Sequence, residues 1–130
     1  VHKEICHDID KTLSKIRQLG CKAGISMNPE TSISGIEKFL DKLDLILVMS
    51  VKPGFGGQKF IPSSIEKIIK AKSLIGNRQI FLQVDGGVND SNASKLVKAG
   101  ANVLVAGSFV FNGSGVSDYK KNISLLRNSY

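Results

Sequence analysis

Apolar side chains along the chain follow two alternating patterns, one of helical spacing and one of nearly continuous runs. Helical spacing predicts five helices, at 7–20, 34–43, 62–75, 90–100 and around 119–126. The apolar runs between them predict four strands, at 21–27, 44–51, 79–88 and 101–111. The run "LILV" in the second of these strands is typical of a strand whose two faces are both covered.

Two of the predicted helices carry recognisable terminal residues. Pro62 and the two serines after it suit a helix N-terminus. The face that this helix should bury consists of Ile65, Ile68, Ile69 and Leu74. In the helix at 90–100, Asp90 is predicted to be the N-cap and Gly100 ends the helix.

Strands that alternate with amphipathic helices predict an α/β fold with a parallel sheet. Both a doubly wound sheet and a (β/α)8 barrel have that alternation. Three successive strands end in loops whose residues suit ligand binding or catalysis, "KPGFGG", "DGG" and "AGS". Active sites of barrels are built from loops after successive strands, whereas a doubly wound sheet concentrates its ligand loops at one switch point, so the barrel is favoured. Because four parallel strands cannot close, residues 1–130 are predicted to form one domain, the C-terminal half (strands 5–8) of a TIM barrel.

Composition excludes several classes of protein. The 130 residues contain no apolar run of 18, which argues against a membrane span, and the polar start "VHKEICHDID" does not resemble a secretory signal. The net charge of +7 comes from lysines spread along helices and interleaved with acids, so nucleic-acid binding is not expected. Two cysteines without metal-ligand spacing indicate reduced thiols and a cytoplasmic protein.

The glycine-rich loops at the strand ends predict an anion site. Glycines let backbone N–H groups approach a phosphate closely, and a helix N-terminus that follows adds a favourable dipole. Barrels bind phosphate at the loops after strands 7 and 8. The candidate residues are Gly54, Gly56, Gly57, Gly86, Gly87, Gly107 and Ser108, and the alternative is three unrelated tight turns.

Asp85 is the candidate for chemistry, because it follows the apolar run "FLQV" and precedes two glycines. A carboxylate at a barrel mouth can bind a metal or transfer a proton, and the alternative is a turn-initiating Asp bonded to its own backbone. The two histidines, His2 and His7, have no third partner at ligand spacing, so no metal site is predicted wholly within the chain. Met49 is either a core residue or a pocket residue.

The motifs "MSVKPGFGGQKF", "VDGGVND" and "VLVAGSFVF", in this order, resemble those of the ribulose-phosphate 3-epimerase family. The resemblance implies a (β/α)8 barrel that interconverts D-ribulose 5-phosphate and D-xylulose 5-phosphate. It implies one divalent metal ion (Zn, Fe, Co or Mn), with Asp85 as both metal ligand and proton donor. It also implies that the loop of Gly54, Phe55, Gly56 and Gly57 closes over the substrate, that the remaining glycines and Ser108 bind phosphate, and that Met49 lines the pocket.

The chain departs from the family pattern at several points. The second aspartate and the metal-binding histidines of the family belong to strands 2 and 3, which have no counterpart here, and His2 does not replace them. Lys3 stands where many members have proline, and Lys52 where asparagine, glutamate or histidine is usual. A sugar-phosphate-binding half-barrel without turnover, and an allulose-6-phosphate 3-epimerase, remain alternatives. A homo-oligomer is expected.

Overall fold

The structure, a computed structural model, describes residues 1–128. The strands are β1 (Gly24–Met27), β2 (Leu45–Met49), β3 (Phe81–Asp85) and β4 (Val103–Val105). The α-helices are α1 (Ile9–Gln18), α2 (Ser64–Ile75), α3 (Asp90–Ala99), α4 (Gly107–Val110) and α5 (Val116–Arg127), and a 3₁₀ helix spans Glu37–Lys42. Residues 129 and 130 lie outside the described residues, so a single domain over 1–130 stays a prediction.

The four strands form one parallel sheet in the sequential order β1-β2-β3-β4. Helices α2 and α3 connect the last three strands, as parallel neighbours require. All four carboxyl ends therefore lie at one edge of the sheet. The predicted α/β fold with a parallel sheet is confirmed, and closure into an eight-stranded barrel stays a prediction.

Residues 1–3 run parallel to β1 along its outer edge. The Ser26 N–H donates to the Val1 carbonyl at 2.8 Å, and the Lys3 N–H donates to the Ser26 carbonyl at 2.9 Å. His2 pairs with Ser26 as an isolated parallel bridge. The sheet thus continues beyond β1 into a short extended segment.

Glu4 fastens this segment to the loop after β1. Its carboxylate accepts a hydrogen bond from the Asn28 N–H at 2.5 Å. Burial by itself raises the pKa of Glu4, but hydrogen bonds from Asn28, Thr31 and His2 stabilise the ionised form and together lower the pKa to about 2. The carboxylate therefore stays charged and keeps these bonds at any pH near neutrality.

The core lies under one face of the sheet. Alternate strand residues such as Ile46, Val48 and Leu82 are at most 1% exposed and belong to one cluster with the buried face of α2. Their neighbours Leu45 and Leu47 point the other way and are only half-buried. Within residues 1–128 the helix-covered face is closed and the second face is partly covered, so the expectation that both faces of this strand are covered stays a prediction.

Three local predictions need correction. The apolar segment at 34–43 forms a 3₁₀ helix, in which the Leu43 N–H bonds to the Leu40 carbonyl. The predicted strand at 101–111 ends at Val105, because α4 begins at Gly107. The N-cap of α3 is Asn89, whose side chain accepts the Ser91 N–H, so Asp90 is the first residue of the helix.

The buried face of α2 also differs from the prediction. The buried residues are Ser64, Ile68, Ala71 and Ile75, whereas Ile69 is 52% exposed. Ile69 follows Ile68 directly, and the helical rotation of about 100° per residue carries it off the face that meets the sheet. Along the described residues, no helix has the length and apolar character needed to span a membrane.

The two adjacent isoleucines of α2 provide a matched test of this packing. Ile68→Ala should lower the free energy of unfolding by about 2–5 kcal/mol, because it opens a cavity in a closed core. Ile69→Ala should change it by no more than about 0.5 kcal/mol. Urea unfolding followed by circular dichroism measures both, and equal losses would contradict this assignment of the buried face.

Candidate functional site

A cavity of about 190 Å³ lies at the carboxyl ends of β2, β3 and β4. Its walls come from the loop after β2, the turn after β3 and the start of α4. Eight of the ten residues predicted from the sequence line it: Phe55, Gly56, Gly57, Asp85, Gly86, Gly87, Gly107 and Ser108. The parallel register therefore gathers three loops that are far apart in the sequence.

The two other predicted residues lie beside this cavity. Met49 is the last residue of β2, is 9% exposed and pairs in register with Asp85. Gly54 is exposed within the glycine loop and has φ +146°, a conformation that favours glycine. Lys52 is exposed at the start of the same loop, outside the cavity lining.

Asp85 ends β3 and is partly buried at the cavity wall. Burial raises the pKa of its carboxyl group, because the charged form loses contact with water. Its carboxylate accepts no hydrogen bond from any group within residues 1–128. Its two oxygens therefore face the cavity without a protein partner that would tie them to a structural role.

The described residues supply one metal-binding side chain at this place. A protein metal site ordinarily has three or four protein ligands. No cluster of three or more His, Cys, Asp or Glu side chains occurs in residues 1–128. Asp85 has the chemistry of one ligand, but the part of the chain described here does not fit a complete metal site.

The turn after β3 brings backbone against backbone. A Cβ on Gly86 would lie 2.5 Å from Val51 Cγ2 and 2.8 Å from the Val51 nitrogen, and a Cβ on Gly87 would overlap Phe60. Both glycines have positive φ, +125° and +63°. Only glycine satisfies both constraints, and the packing brings this turn directly under the loop after β2.

Unpaired backbone donors line the cavity. The N–H groups of Gly87, Val88, Gly107 and Ser108 donate to no acceptor within residues 1–128. Gly107 and Ser108 are the first residues of α4, where N–H groups have no partner within the helix. Backbone N–H groups without a partner beside one cavity are a favourable environment for an anion.

Sequence reasoning missed two residues that hold these loops. Ser50 is completely buried, and its hydroxyl lies 2.7 Å from the Gly86 carbonyl oxygen. Gln58 Nε2 donates to the carbonyls of Lys52 and Phe55, at 2.6 and 2.9 Å, and these two hydrogen bonds connect its side chain to two points of the glycine loop. A polar serine directly after the run "LILVM" was the available signal for Ser50, whereas nothing in the pattern marks Gln58.

The family model for the Ribulose-phosphate 3 epimerase family matches residues 1–111. The chain belongs to this family. The epimerase resemblance predicted from its motifs is therefore confirmed, and it covers all three loops of the cavity.

Curated relatives carry the same name. The chain is 47% identical over 132 residues to "Ribulose-phosphate 3-epimerase" of Bacillus subtilis (strain 168), an alignment that covers 99% of this chain and 59% of the relative. Identity is 44% over 128 residues to the Escherichia coli (strain K12) protein, with 97% and 56% coverage. It is 46% over 123 residues to "Ribulose-5-phosphate-3-epimerase, chloroplastic" of Arabidopsis thaliana, with 93% and 43% coverage. The chain spans about half the length of these epimerases.

Glycines of the epimerase loops should differ sharply in their tolerance of a methyl group. Gly86→Ala should cost about 2–4 kcal/mol of folding stability, from the clash with Val51 and the unfavourable φ. Gly56→Ala should stay within about 1 kcal/mol, because the position has open space around its Cβ and no positive φ. Denaturant midpoints compare the two variants, and a tolerated Gly86→Ala would contradict the close approach.

The burial of Asp85 predicts a pH-dependent cost to stability. Because the folded-state pKa is raised, the charge destabilises the fold once the pH exceeds the unfolded-state pKa, and the full cost is present above the raised folded pKa. Asp85→Asn should therefore raise the melting temperature at pH 7, and the gain should vanish towards pH 3. Asp41→Asn is the control, because its side chain is 92% exposed and should show no such gain. Calorimetry at both pH values measures the difference, and a lower melting temperature at pH 7 would refute it.

Proposed function

We propose that this chain forms the C-terminal half of a (β/α)8 barrel that epimerises C3 of a pentulose 5-phosphate, interconverting D-ribulose 5-phosphate and D-xylulose 5-phosphate. One observation supports this above the others. The cavity is lined by the partly buried carboxylate of Asp85 and by residues with unpaired N–H groups, which come from the turn after β3 and from the start of α4. A sugar phosphate needs both features, an anion site and a group that moves a proton.

Asp85 is proposed to exchange the proton at C3. Epimerisation removes the C3 proton to give an ene-diolate and returns a proton to the opposite face of the same carbon, so two acid–base groups are required. Asp85 supplies one of them, and its raised pKa brings the carboxyl group closer to the pH at which it can donate a proton. The second group would come from the strands that complete the barrel.

The glycine turns are proposed to hold the phosphate group. Gly86, Gly87, Gly107 and Ser108 would bind it through backbone N–H groups, which need no positive side chain for this purpose. A wider hollow of about 660 Å³ adjoins the cavity and is lined by Lys59 and Lys95, which add positive potential near the phosphate.

The loop of Gly54, Phe55, Gly56 and Gly57 is proposed to cover the bound sugar. Phe55 lines the cavity and yet is 76% exposed, so its ring is available to move over a ligand. Exclusion of water would protect an ene-diolate until it is reprotonated. Met49, at the end of β2, is proposed to line the pocket near the reacting carbon atoms.

The chemistry that a bound divalent metal ion would supply is stabilisation of the negative charge that develops on the substrate. Asp85 is proposed as the ligand that this chain contributes, since its carboxylate oxygens are unpaired within the described residues. The remaining ligands would belong to the completing strands. Homo-oligomer formation and a cytoplasmic location remain predictions, which sedimentation and cell fractionation would test.

The proposal of a half-barrel is supported by the incomplete burial of one face of the sheet. Four parallel strands leave the face of Leu45 and Leu47 half-open, and Phe81 at the start of β3 is 50% exposed. In a closed barrel such residues fill the interior. Four preceding strands would bury them.

A sugar-phosphate-binding module without turnover is the second candidate. The cavity has several unpaired N–H groups that could bind phosphate, but it has only one carboxylate, whereas epimerisation needs two acid–base groups. This imbalance favours binding without turnover. Calorimetric titration of this chain with ribulose 5-phosphate, together with a turnover assay, separates the two hypotheses. Saturable binding with no turnover, even after strands 1–4 are supplied, would favour the module. Comparison of pentulose and hexulose phosphates as substrates would identify an allulose-6-phosphate 3-epimerase.

Replacement of Asp85 tests the proposed chemistry. In the barrel completed with strands 1–4, Asp85→Asn should lower kcat by about 10²–10⁴-fold, because the proton-transfer group is lost. Affinity for inorganic phosphate should change less than about threefold, since the backbone N–H groups remain. Asp90→Asn is the control: this aspartate is exposed on α3 outside the cavity and should retain normal kcat. Near-normal turnover of Asp85→Asn would overturn the assignment.

A further inference from the structure

Ser50 connects three parts of the candidate site through every polar group that it has. Its N–H donates to the Asp85 carbonyl at 2.8 Å, and its carbonyl accepts the Ile61 N–H at 2.9 Å. Its hydroxyl lies 2.7 Å from the Gly86 carbonyl oxygen and 3.0 Å from that of Asp85. The side chain is 0% exposed, so water does not compete for these bonds.

The bond to the Gly86 carbonyl fixes the direction of a neighbouring N–H group. Every peptide bond in the described chain is trans, so the carbonyl of Gly86 and the N–H of Gly87 point in opposite directions within one plane. When the carbonyl is held by Ser50, the Gly87 N–H is directed away from Ser50. That N–H is one of the unpaired donors, and Gly87 lines the cavity.

A peptide between two glycines needs such a restraint. Glycine adopts positive and negative φ with similar ease, so the backbone preferences of Gly86 and Gly87 do not by themselves fix the plane of the peptide between them. Among residues 1–128, the Ser50 hydroxyl is the side-chain donor that the Gly86 carbonyl has. The next peptide is held in the same way, because Asn92 Nδ2 donates to the Gly87 carbonyl at 2.9 Å.

We propose that Ser50 is a positioning residue of the phosphate site, whose hydroxyl holds the Gly86–Gly87 peptide so that the Gly87 N–H is available to the anion. This inference rests on the phosphate site of the proposed function. The same residue anchors the end of the glycine loop through Ile61, so the loop over the site and the turn beneath it share one point of attachment.

The chain contains a matched control for this hydroxyl. Ser64 is the other buried serine, 2% exposed, and its hydroxyl has no hydrogen-bond partner among the described residues. Ser50→Ala and Ser64→Ala remove the same atom from equally closed surroundings. In Ser50→Ala the Asp85 carbonyl keeps its bond from the backbone N–H of residue 50, so the position of Asp85 is conserved.

The experiment titrates inorganic phosphate into the ¹⁵N-labelled full 130-residue chain and follows the amide signals by NMR. In the wild-type chain the Gly87 amide should shift with phosphate concentration. Ser50→Ala should weaken phosphate binding about tenfold and abolish most of the Gly87 shift, because one charge-assisted bond loses its orientation. Ser64→Ala should bind within about twofold of wild type.

The outcomes separate this inference from the proposed function. A wild-type chain without any phosphate-dependent shift at Gly87 overturns the phosphate site and the role of Ser50 together. Wild-type binding that Ser50→Ala leaves intact overturns the role of Ser50 alone. Should Ser50→Ala fail to fold, Ser50→Cys keeps the volume and a weak donor. An intermediate loss of about threefold then supports the proposal, and full affinity contradicts it.

Discussion

The four strands pair in parallel and in sequential order, and this single constraint decides where the chemical groups of the chain lie. Parallel pairing brings the carboxyl ends of β2, β3 and β4 to one edge, so the glycine loop, the turn after Asp85 and the start of α4 meet around one cavity. The register places Met49 directly beside Asp85. A shift of one residue would turn Asp85 towards the helix-covered core, where an ionised carboxylate would be far more costly.

Asp85 shows how the site and the stability of the fold oppose each other. Its carboxylate is partly buried and unpaired within the described chain, a condition that a purely structural residue would avoid. Helix packing, glycine turns and the buried hydroxyl of Ser50 hold it in place nonetheless. Strained or poorly satisfied groups persist where the surrounding structure fixes them, and this is a usual property of sites that perform chemistry.

Much of the fold could be predicted from local pattern, because strands and helices here differ clearly in apolar period. The glycine turns could also be located, since a parallel sheet places its loops at one edge. The role of Asp85 could be predicted only from the family resemblance. An aspartate before two glycines is also common in ordinary turns, so the local sequence does not distinguish a catalytic aspartate from one that only initiates a turn.

Other features depend on contacts between distant segments, and the sequence does not record them. Ile69 has the same side chain as Ile68, and the rotation of α2 about its own axis against the sheet decides which of them is buried. Ser50 acquires its partners from a turn 36 residues away. The 3₁₀ geometry at Glu37–Lys42 likewise arises where a short segment must fit between β1 and β2, and apolar spacing does not distinguish it from an α-helix.

The segment at residues 1–3 has a consequence for how the sheet could be completed. Its parallel pairing with Ser26 shows that the outer edge of β1 accepts a further strand. The three residues of β4 form the other edge of the sheet. The strands of the proposed barrel would join at these two edges, and they would then enclose Leu45, Leu47 and Phe81 between them.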